Sequence, residues 1–163
     1  MIDLEKIKNK VLKGTPVEDL LEKFNWKEFE EAVAEIFSEN GLYAKRNVRF
    51  KTDRRFEIDI VASKPRKVFC VDCKEWSRGR NKKSGITHAA ELQKERTLQF
   101  EKFLSKNIIA RNKLRILEQS KFYRFYPILV TLFEEDLKDE GGVVVVPVWK
   151  LNSFLNSEEF SIA

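Results

Sequence analysis

The segment Phe56–Trp76 constrains the fold most, because its pattern is that of two β-strands joined by the turn Lys64-Pro65-Arg66. Apolar and polar residues alternate on both sides of that turn, as expected for strands whose side chains point to opposite faces. In the first strand we expect Phe56, Ile58 and Ile60 to share one face. The segment therefore predicts an antiparallel hairpin at the centre of the fold.

Charged residues interrupt this otherwise apolar hairpin. Asp59 lies in the first strand, and Asp72 and Lys74 share one face of the second. If the strands pair, Asp59 lies roughly 5 Å across the ladder from this face. Placing two carboxylates and an amine among apolar strands is costly for folding alone. The combination suits a divalent metal ion accompanied by a lysine that stabilises negative charge.

The composition predicts one folded domain. The chain has 163 residues, of which 42% are hydrophobic and 35% charged, as in globular proteins rather than disordered ones. We expect a helical extension over residues 1–24 and a core over residues 25–163. The formal charge of +5 favours an anionic partner such as nucleic acid, although a basic surface without any partner remains the alternative.

The sequence also favours a reducing compartment. The first residues are charged, no apolar run approaches the roughly 20 residues of a membrane helix, and the chain has only two cysteines. We therefore expect a cytoplasmic protein without membrane contact. Cys70 and Cys73 are three positions apart on a strand, so they face opposite ways and are poorly placed to share a metal ion or a disulfide.

The remaining elements follow from periodicity and from capping residues. The expected order is a helix from Asn25 to Asn40-Gly41, a strand over Leu42–Lys51 with a bulge at Asn47, the hairpin, a long helix from Thr87 with a break at Ser105–Asn107, strands over Tyr126–Phe133 and Val143–Trp149, and a helix over Leu151–Leu155. Strands on both sides of a helical crossover predict an α/β fold with a mixed central sheet flanked by helices.

Basic residues cluster at two places near the acidic hairpin. One is the turn Thr52–Arg55, and the other is a polar, glycine-containing loop that follows Trp76. A basic loop beside an acidic site could hold a phosphate backbone. A solvated surface loop without a partner is the alternative.

These motifs resemble the PD-(D/E)xK nuclease superfamily, and within it the Mrr-type restriction endonuclease-like proteins and the archaeal Holliday junction resolvases. The first acid of that family falls on Glu30, although its position alone also fits a surface glutamate. The aspartate of the "PD" motif falls on Asp59, after Ile58 in place of proline, and the (D/E)xK motif falls on Asp72-Cys73-Lys74. The resemblance implies a restriction endonuclease-like three-layer sandwich.

The resemblance also implies a function. Glu30, Asp59, Asp72 and the carbonyl of Cys73 would hold Mg²⁺ or Mn²⁺, and Lys74 would orient water or stabilise the transition state. The expected reaction is hydrolysis of phosphodiester bonds in DNA, with a homodimer as a further expectation. A nuclease-like fold that only binds nucleic acid or a protein is the alternative. The expected nucleic-acid contacts are Lys51, Arg54, Arg55, Arg78, Arg80, Lys82, Lys83 and Gln93.

Overall fold

The structure is a computed structural model that describes residues 6, 9, 10, 12–14, 19, 25–74, 82–116, 122–132 and 138–157. Residues 6, 9, 10, 12 and 19 are helical, while most of the predicted extension over residues 1–24 lies outside the described residues. Within the described part of the chain, no helix has the length and apolar character needed to cross a membrane.

Helices and strands alternate along the core. The helices are α1 (Trp26–Glu39), α2 (Lys82–Ser105), α3 (Ile108–Lys113) and α4 (Val148–Leu155). The strands are β1 (Tyr43–Lys51), β2 (Arg55–Lys64), β3 (Lys67–Lys74), β4 (Arg124–Thr131), β5 (Lys138–Glu140) and β6 (Val143–Pro147).

The strands form one mixed sheet in the order β1-β2-β3-β4-β6-β5. The first three strands are antiparallel neighbours, β4 runs parallel to both β3 and β6, and β5 returns antiparallel to β6. The predicted mixed sheet is therefore confirmed. The short strand β5 was not predicted, because three polar residues carry no alternation that sequence analysis can recognise.

Helices cover both faces of the sheet. On one face, Phe37 of α1 and Leu151 of α4 pack with apolar residues of the central strands, such as Val71. On the other face, Phe100 and Leu104 of α2 pack in a separate cluster. The result is the predicted three-layer sandwich.

Helix α1 is defined by its capping residues. The Asn25 side chain accepts a hydrogen bond from the Glu28 backbone N–H at 2.9 Å, and the Glu28 carboxylate accepts one from the Asn25 N–H at 3.2 Å. This reciprocal pair is a capping box, which satisfies donors left free at a helix start. The helix ends at Asn40, as predicted. Its buried face includes Glu30 among apolar neighbours, so α1 carries an acid toward the sheet.

The alternation of β2 breaks at Asp59. Ile60 packs in the cluster on the α1 side, whereas Phe56 and Ile58 pack in the cluster on the α2 side. The expected single row of Phe56, Ile58 and Ile60 is therefore wrong. Asp59 lies between Ile58 and Ile60, where the buried side chains change from one face of the sheet to the other.

The neighbouring strand β1 is irregular at the same level of the sheet. Asn47 has a φ of 53°, in the left-handed region, and this conformation redirects the side chains that follow it. Arg46 pairs with Ile60 and Val48 pairs with Ile58, so the register is the same on both sides of Asn47. The predicted bulge is therefore wrong, because a bulge inserts an extra residue and shifts the register.

Two predicted boundaries also move. Helix α2 begins at Lys82 rather than at Thr87, which places Lys82 and Lys83 in a helical turn and not in a loop. Helix α4 begins directly after Pro147 and includes Trp149, which was expected in a strand. The helical break before α3 is confirmed, and the Asn107 side chain caps α3 by accepting a hydrogen bond from the Ala110 N–H at 3.0 Å.

The conformation of Asn47 leads to a stability prediction. Asn47→Val should lower the free energy of unfolding by about 1–2 kcal/mol, because a β-branched residue is strained at positive φ. Asn47→Gly should leave the free energy almost unchanged, because glycine adopts this conformation readily. Urea unfolding measures both. Ordinary strand propensity predicts the reverse order, so a valine variant more stable than the glycine variant would contradict the left-handed conformation.

Candidate acidic site

The two predicted aspartates face each other where the β2–β3 ladder ends. The last pair of that ladder is Ile60 with Val71, and one further step in the same register places Asp59 opposite Asp72. The Oδ2 atom of Asp59 accepts a hydrogen bond of 2.9 Å from the backbone N–H of Cys73. The hairpin geometry therefore brings two carboxyl groups together at one edge of the ladder.

This location raises the pKa of Asp59 to about 7. Burial is the largest cause, since it disfavours the charged carboxylate. The hydrogen bond from the Cys73 N–H acts in the opposite direction and lowers the pKa. The charge and hydrogen bonding of Asp72 raise it, and the charge of Glu30 raises it further. Three acidic groups are thus close enough to influence one another.

Asp72 is buried and lies between two cations. Its Oδ2 atom lies 3.1 Å from Lys74 Nζ, and its Oδ1 atom lies 3.8 Å from an Arg96 guanidinium nitrogen. Despite the short ion pair, Oδ2 accepts no hydrogen bond of good geometry from the described residues. This buried oxygen therefore retains the capacity to bind a further donor or a cation.

Glu30 is buried, with 5% of its surface exposed. The alternative of a surface glutamate is therefore wrong. Its Oε2 atom lies 3.6 Å from an Arg46 guanidinium nitrogen, and the other terminal nitrogen of Arg46 lies 3.4 Å from Glu31. Arg46 thus holds Glu30 from β1. In the described part of the chain, no three acidic, histidine or cysteine side chains are already arranged around one common metal position.

Arg46 and Arg96 belong to the site but were not predicted from the sequence. Arg96 lies three residues after Gln93 on α2, so both side chains lie on the same side of the helix. Arg96 donates a hydrogen bond of 3.3 Å to Gln93 Oε1, and Gln93 Nε2 donates one of 2.8 Å to the Cys70 carbonyl. This spacing was the available signal for Arg96, whereas nothing local in the sequence marks Arg46.

The expected nucleic-acid contact of Gln93 is corrected by these bonds. The residue is fully buried, and both ends of its amide are hydrogen-bonded inside the protein. Gln93 links β3 to Arg96 and holds that arginine near Asp72.

The other expected contact residues differ in their surroundings. Lys51, Arg54 and Arg55 are exposed, but Arg54 pairs with Glu95 at 2.9 Å and lies over the Phe56 ring at 4.7 Å. Arg78 and Arg80 lie outside the described residues, as do the side chains of Lys82 and Lys83.

Cys70 and Cys73 are both buried and free. They pack in the clusters on opposite faces of the sheet, as their spacing predicted. Burial raises the pKa of Cys70 to about 12, and burial with the neighbouring acids raises the pKa of Cys73. Neither thiol is poised to act as a thiolate nucleophile at neutral pH.

The fold is a restriction endonuclease-like α/β sandwich, with acids and a lysine gathered at the end of one ladder. Residues 25–132 match the NERD family, the nuclease-related domain, and the chain belongs to this family. The narrower placement among Mrr-type proteins or Holliday junction resolvases stays a prediction.

Two further proteins are similar to this chain. An uncharacterized protein of Archaeoglobus fulgidus is 30% identical over 139 residues, which cover 85% of this chain and 95% of that protein. The crystal structure of AF1548, a protein of unknown function, shares 17% identity and a TM-score of 0.42. That match covers 75% of this chain, which spans only 58% of the other.

The raised pKa of Asp59 predicts that its charge opposes folding. An acid with a raised pKa in the folded protein stabilises the fold below its unfolded pKa of 3.8, and that contribution is lost as pH rises toward about 7. Asp59→Asn should therefore raise the melting temperature at pH 8 in EDTA by at least about 2 °C, the shift that 1 kcal/mol produces in a chain of this size.

Calorimetry at pH 8 and pH 5 measures this effect, and the gain should be smaller at pH 5. The asparagine Oδ1 atom can still accept the hydrogen bond from Cys73, so the variant removes charge and little else. A lower melting temperature at pH 8 would show that the carboxylate stabilises the fold instead.

Proposed function

We propose that this protein is a metal-dependent nuclease that hydrolyses phosphodiester bonds in DNA. The observation that supports this most directly is the pair of carboxyl groups of Asp59 and Asp72, which meet beside Lys74. Membership of the nuclease-related domain family is consistent with this chemistry. The net charge of +5 is favourable for a polyanionic substrate.

The chemistry of the acidic groups fits a divalent cation. Burial is the main reason why the pKa of Asp59 is raised, and repulsion between its carboxylate and that of Asp72 raises it further. A cation between them would relieve this repulsion, and the buried Oδ2 atom of Asp72 accepts no well-aligned hydrogen bond from the described residues. Carboxylates, carbonyls and water are the ligands that Mg²⁺ prefers. We assign Asp59, Asp72, Glu30 and the Cys73 carbonyl to this role.

The cationic residues complete the proposed site. A bound Mg²⁺ or Mn²⁺ supplies an acidified water ligand and neutralises charge that develops on the phosphate. Lys74, held 3.1 Å from Asp72, would orient the attacking water or stabilise the transition state. Arg96 is partly exposed beside the same carboxylate, where its guanidinium could bind a phosphate oxygen.

One observation favours a catalytically silent fold that only binds a partner. Each acid already has an internal counterpart, because Glu30 contacts Arg46, Asp72 contacts Lys74 and Asp59 accepts the Cys73 N–H. An acidic cluster neutralised in this way is also stable without any metal. Metal binding and cleavage distinguish the two functions.

Metal binding is tested by thermal unfolding with and without divalent ions. A ligand that binds only the folded state stabilises it by mass action, by about 2.7 kcal/mol at 100 times its dissociation constant. We expect Mg²⁺ or Mn²⁺ to raise the melting temperature of the parent, and the double variant Asp59→Ala/Asp72→Ala to lose this rise. Equal shifts in the parent and the double variant would exclude these carboxylates as ligands.

Cleavage is tested with labelled duplex, junction, flap and single-stranded DNA, in Mg²⁺ and in EDTA. Lys74→Ala and Asp59→Ala should each lower the rate at least about 100-fold, the typical cost of removing one group that stabilises the transition state. Lys64→Ala, at the last residue of β2 and the far end of the same hairpin, is the matched control for Lys74→Ala and should cleave like the parent. Cleavage by Lys74→Ala at the parental rate would refute the assignment.

A further inference from the structure

We infer that a basic groove beside the acidic site binds a single-stranded segment of nucleic acid, an inference that rests on the proposed function and adds the path of its substrate. The groove has a volume of about 400 Å³, within the usual range for ligand sites. It lies between β1 and the helices α2 and α3. The residues used below to define it are Lys45, Asn47, Arg49, Phe103, Ile109 and Lys113.

The charged residues that line the groove are all positive. Lys45, Arg49 and Lys113 line it, and no acidic residue in the described part of the chain does so. Arg49 pairs with Glu57 at 3.0 Å, but both side chains are largely exposed, so this pair contributes little stability and can exchange partners. The two lysines are exposed. Such a lining favours a chain of phosphates over a neutral or cationic ligand.

The floor of the groove is apolar and partly aromatic. Phe103 packs against Phe50 and Phe100, with ring centroids 5.4 Å and 6.4 Å apart, which fixes its orientation. Ile109 is 66% exposed at the groove wall, where a flat ligand could cover it. Proteins that bind single strands combine a positive groove with rings on which bases stack. Duplex DNA keeps its base faces covered, and an acidic peptide has no such faces.

The groove adjoins the acidic pair through Asn47. This residue lies between the ladder pairs Arg46–Ile60 and Val48–Ile58, so it faces Asp59 across the ladder. Adjacent strands are about 4.8 Å apart. Asn47 is exposed and lines the groove, so a strand bound there passes beside the carboxylates. The groove would hold the nucleotides next to the phosphate that is cut.

The test is binding of a fluorescent thymidine oligonucleotide of about 12 nucleotides to the full chain in EDTA, measured by anisotropy over a salt series. The double variant Lys45→Gln/Lys113→Gln removes two groove cations. We expect at least tenfold weaker binding. The slope of log K against log salt concentration should also become shallower by about 1.4, since each phosphate contact on a single strand contributes about 0.7. The control Lys27→Gln/Lys102→Gln removes two exposed lysines outside the groove lining and should bind within about twofold of the parent.

The outcomes separate the groove from the proposed function. If both double variants bound the oligonucleotide equally weakly, or if the groove variant kept the parental affinity, the proposal that the groove binds a single strand would be overturned. Competition by oligoglutamate as strong as that of the oligonucleotide would also overturn it, in favour of an acidic peptide. Because binding is measured in EDTA, selective loss in the groove variant supports the groove even if no metal produces cleavage. Normal cleavage and unchanged binding by the groove variant would refute only the proposal that the groove binds a single strand, and not the proposed nuclease function.

Discussion

The arrangement of the site is governed by one unfavourable contact, the approach of the Asp59 and Asp72 carboxyl groups at the end of the β2–β3 ladder. Burial and mutual repulsion oppose ionisation of Asp59, and a fold selected only for stability would place apolar residues there. Several neighbours offset this cost. The Cys73 N–H binds Asp59, Lys74 and Arg96 lie beside Asp72, and Arg46 holds Glu30. The sheet therefore carries buried acidic groups whose unfavourable burial is offset, in part, by neighbouring cations and one backbone N–H.

The backbone makes that site possible through the irregularity at Asn47 and Asp59. A regular strand would commit every second residue of β2 to one helix layer. Here Ile58 packs toward α2 and Ile60 packs toward α1, which leaves Asp59 at the transition with its carboxylate directed to the Cys73 N–H. The same left-handed residue, Asn47, lines the basic groove. At this level of the sheet, Asp59 therefore lies outside both apolar clusters, and Asn47 on the neighbouring strand lines the basic groove.

Local pattern and long-range packing explain what the sequence could and could not predict. Asp72, Lys74 and the hairpin were predictable because strand alternation and a proline turn are local signals. The burial of Glu30 was not, since its helix is rich in glutamate and only packing against the sheet selects one of them. Arg46 and Arg96 reach the acids from β1 and α2, and no short motif records such distant contacts. The start of α2 at Lys82 was missed because Ser84 and Gly85, which follow its first two residues, have lower helical propensity than lysine or leucine.

The charge distribution supports the proposed catalytic role more than simple binding. Carboxylates repel phosphates, so a protein that only binds nucleic acid would gain affinity by losing Asp59, Asp72 and Glu30. The groove defined above is lined by cations and by no acid among the described residues, and its Asn47 lies on the strand that pairs with the strand of Asp59. Keeping three acids at that position is useful if a cation joins them to a phosphate. The basic groove would then supply attraction for the strand, while the acids supply the place where a divalent ion and the reacting phosphate meet.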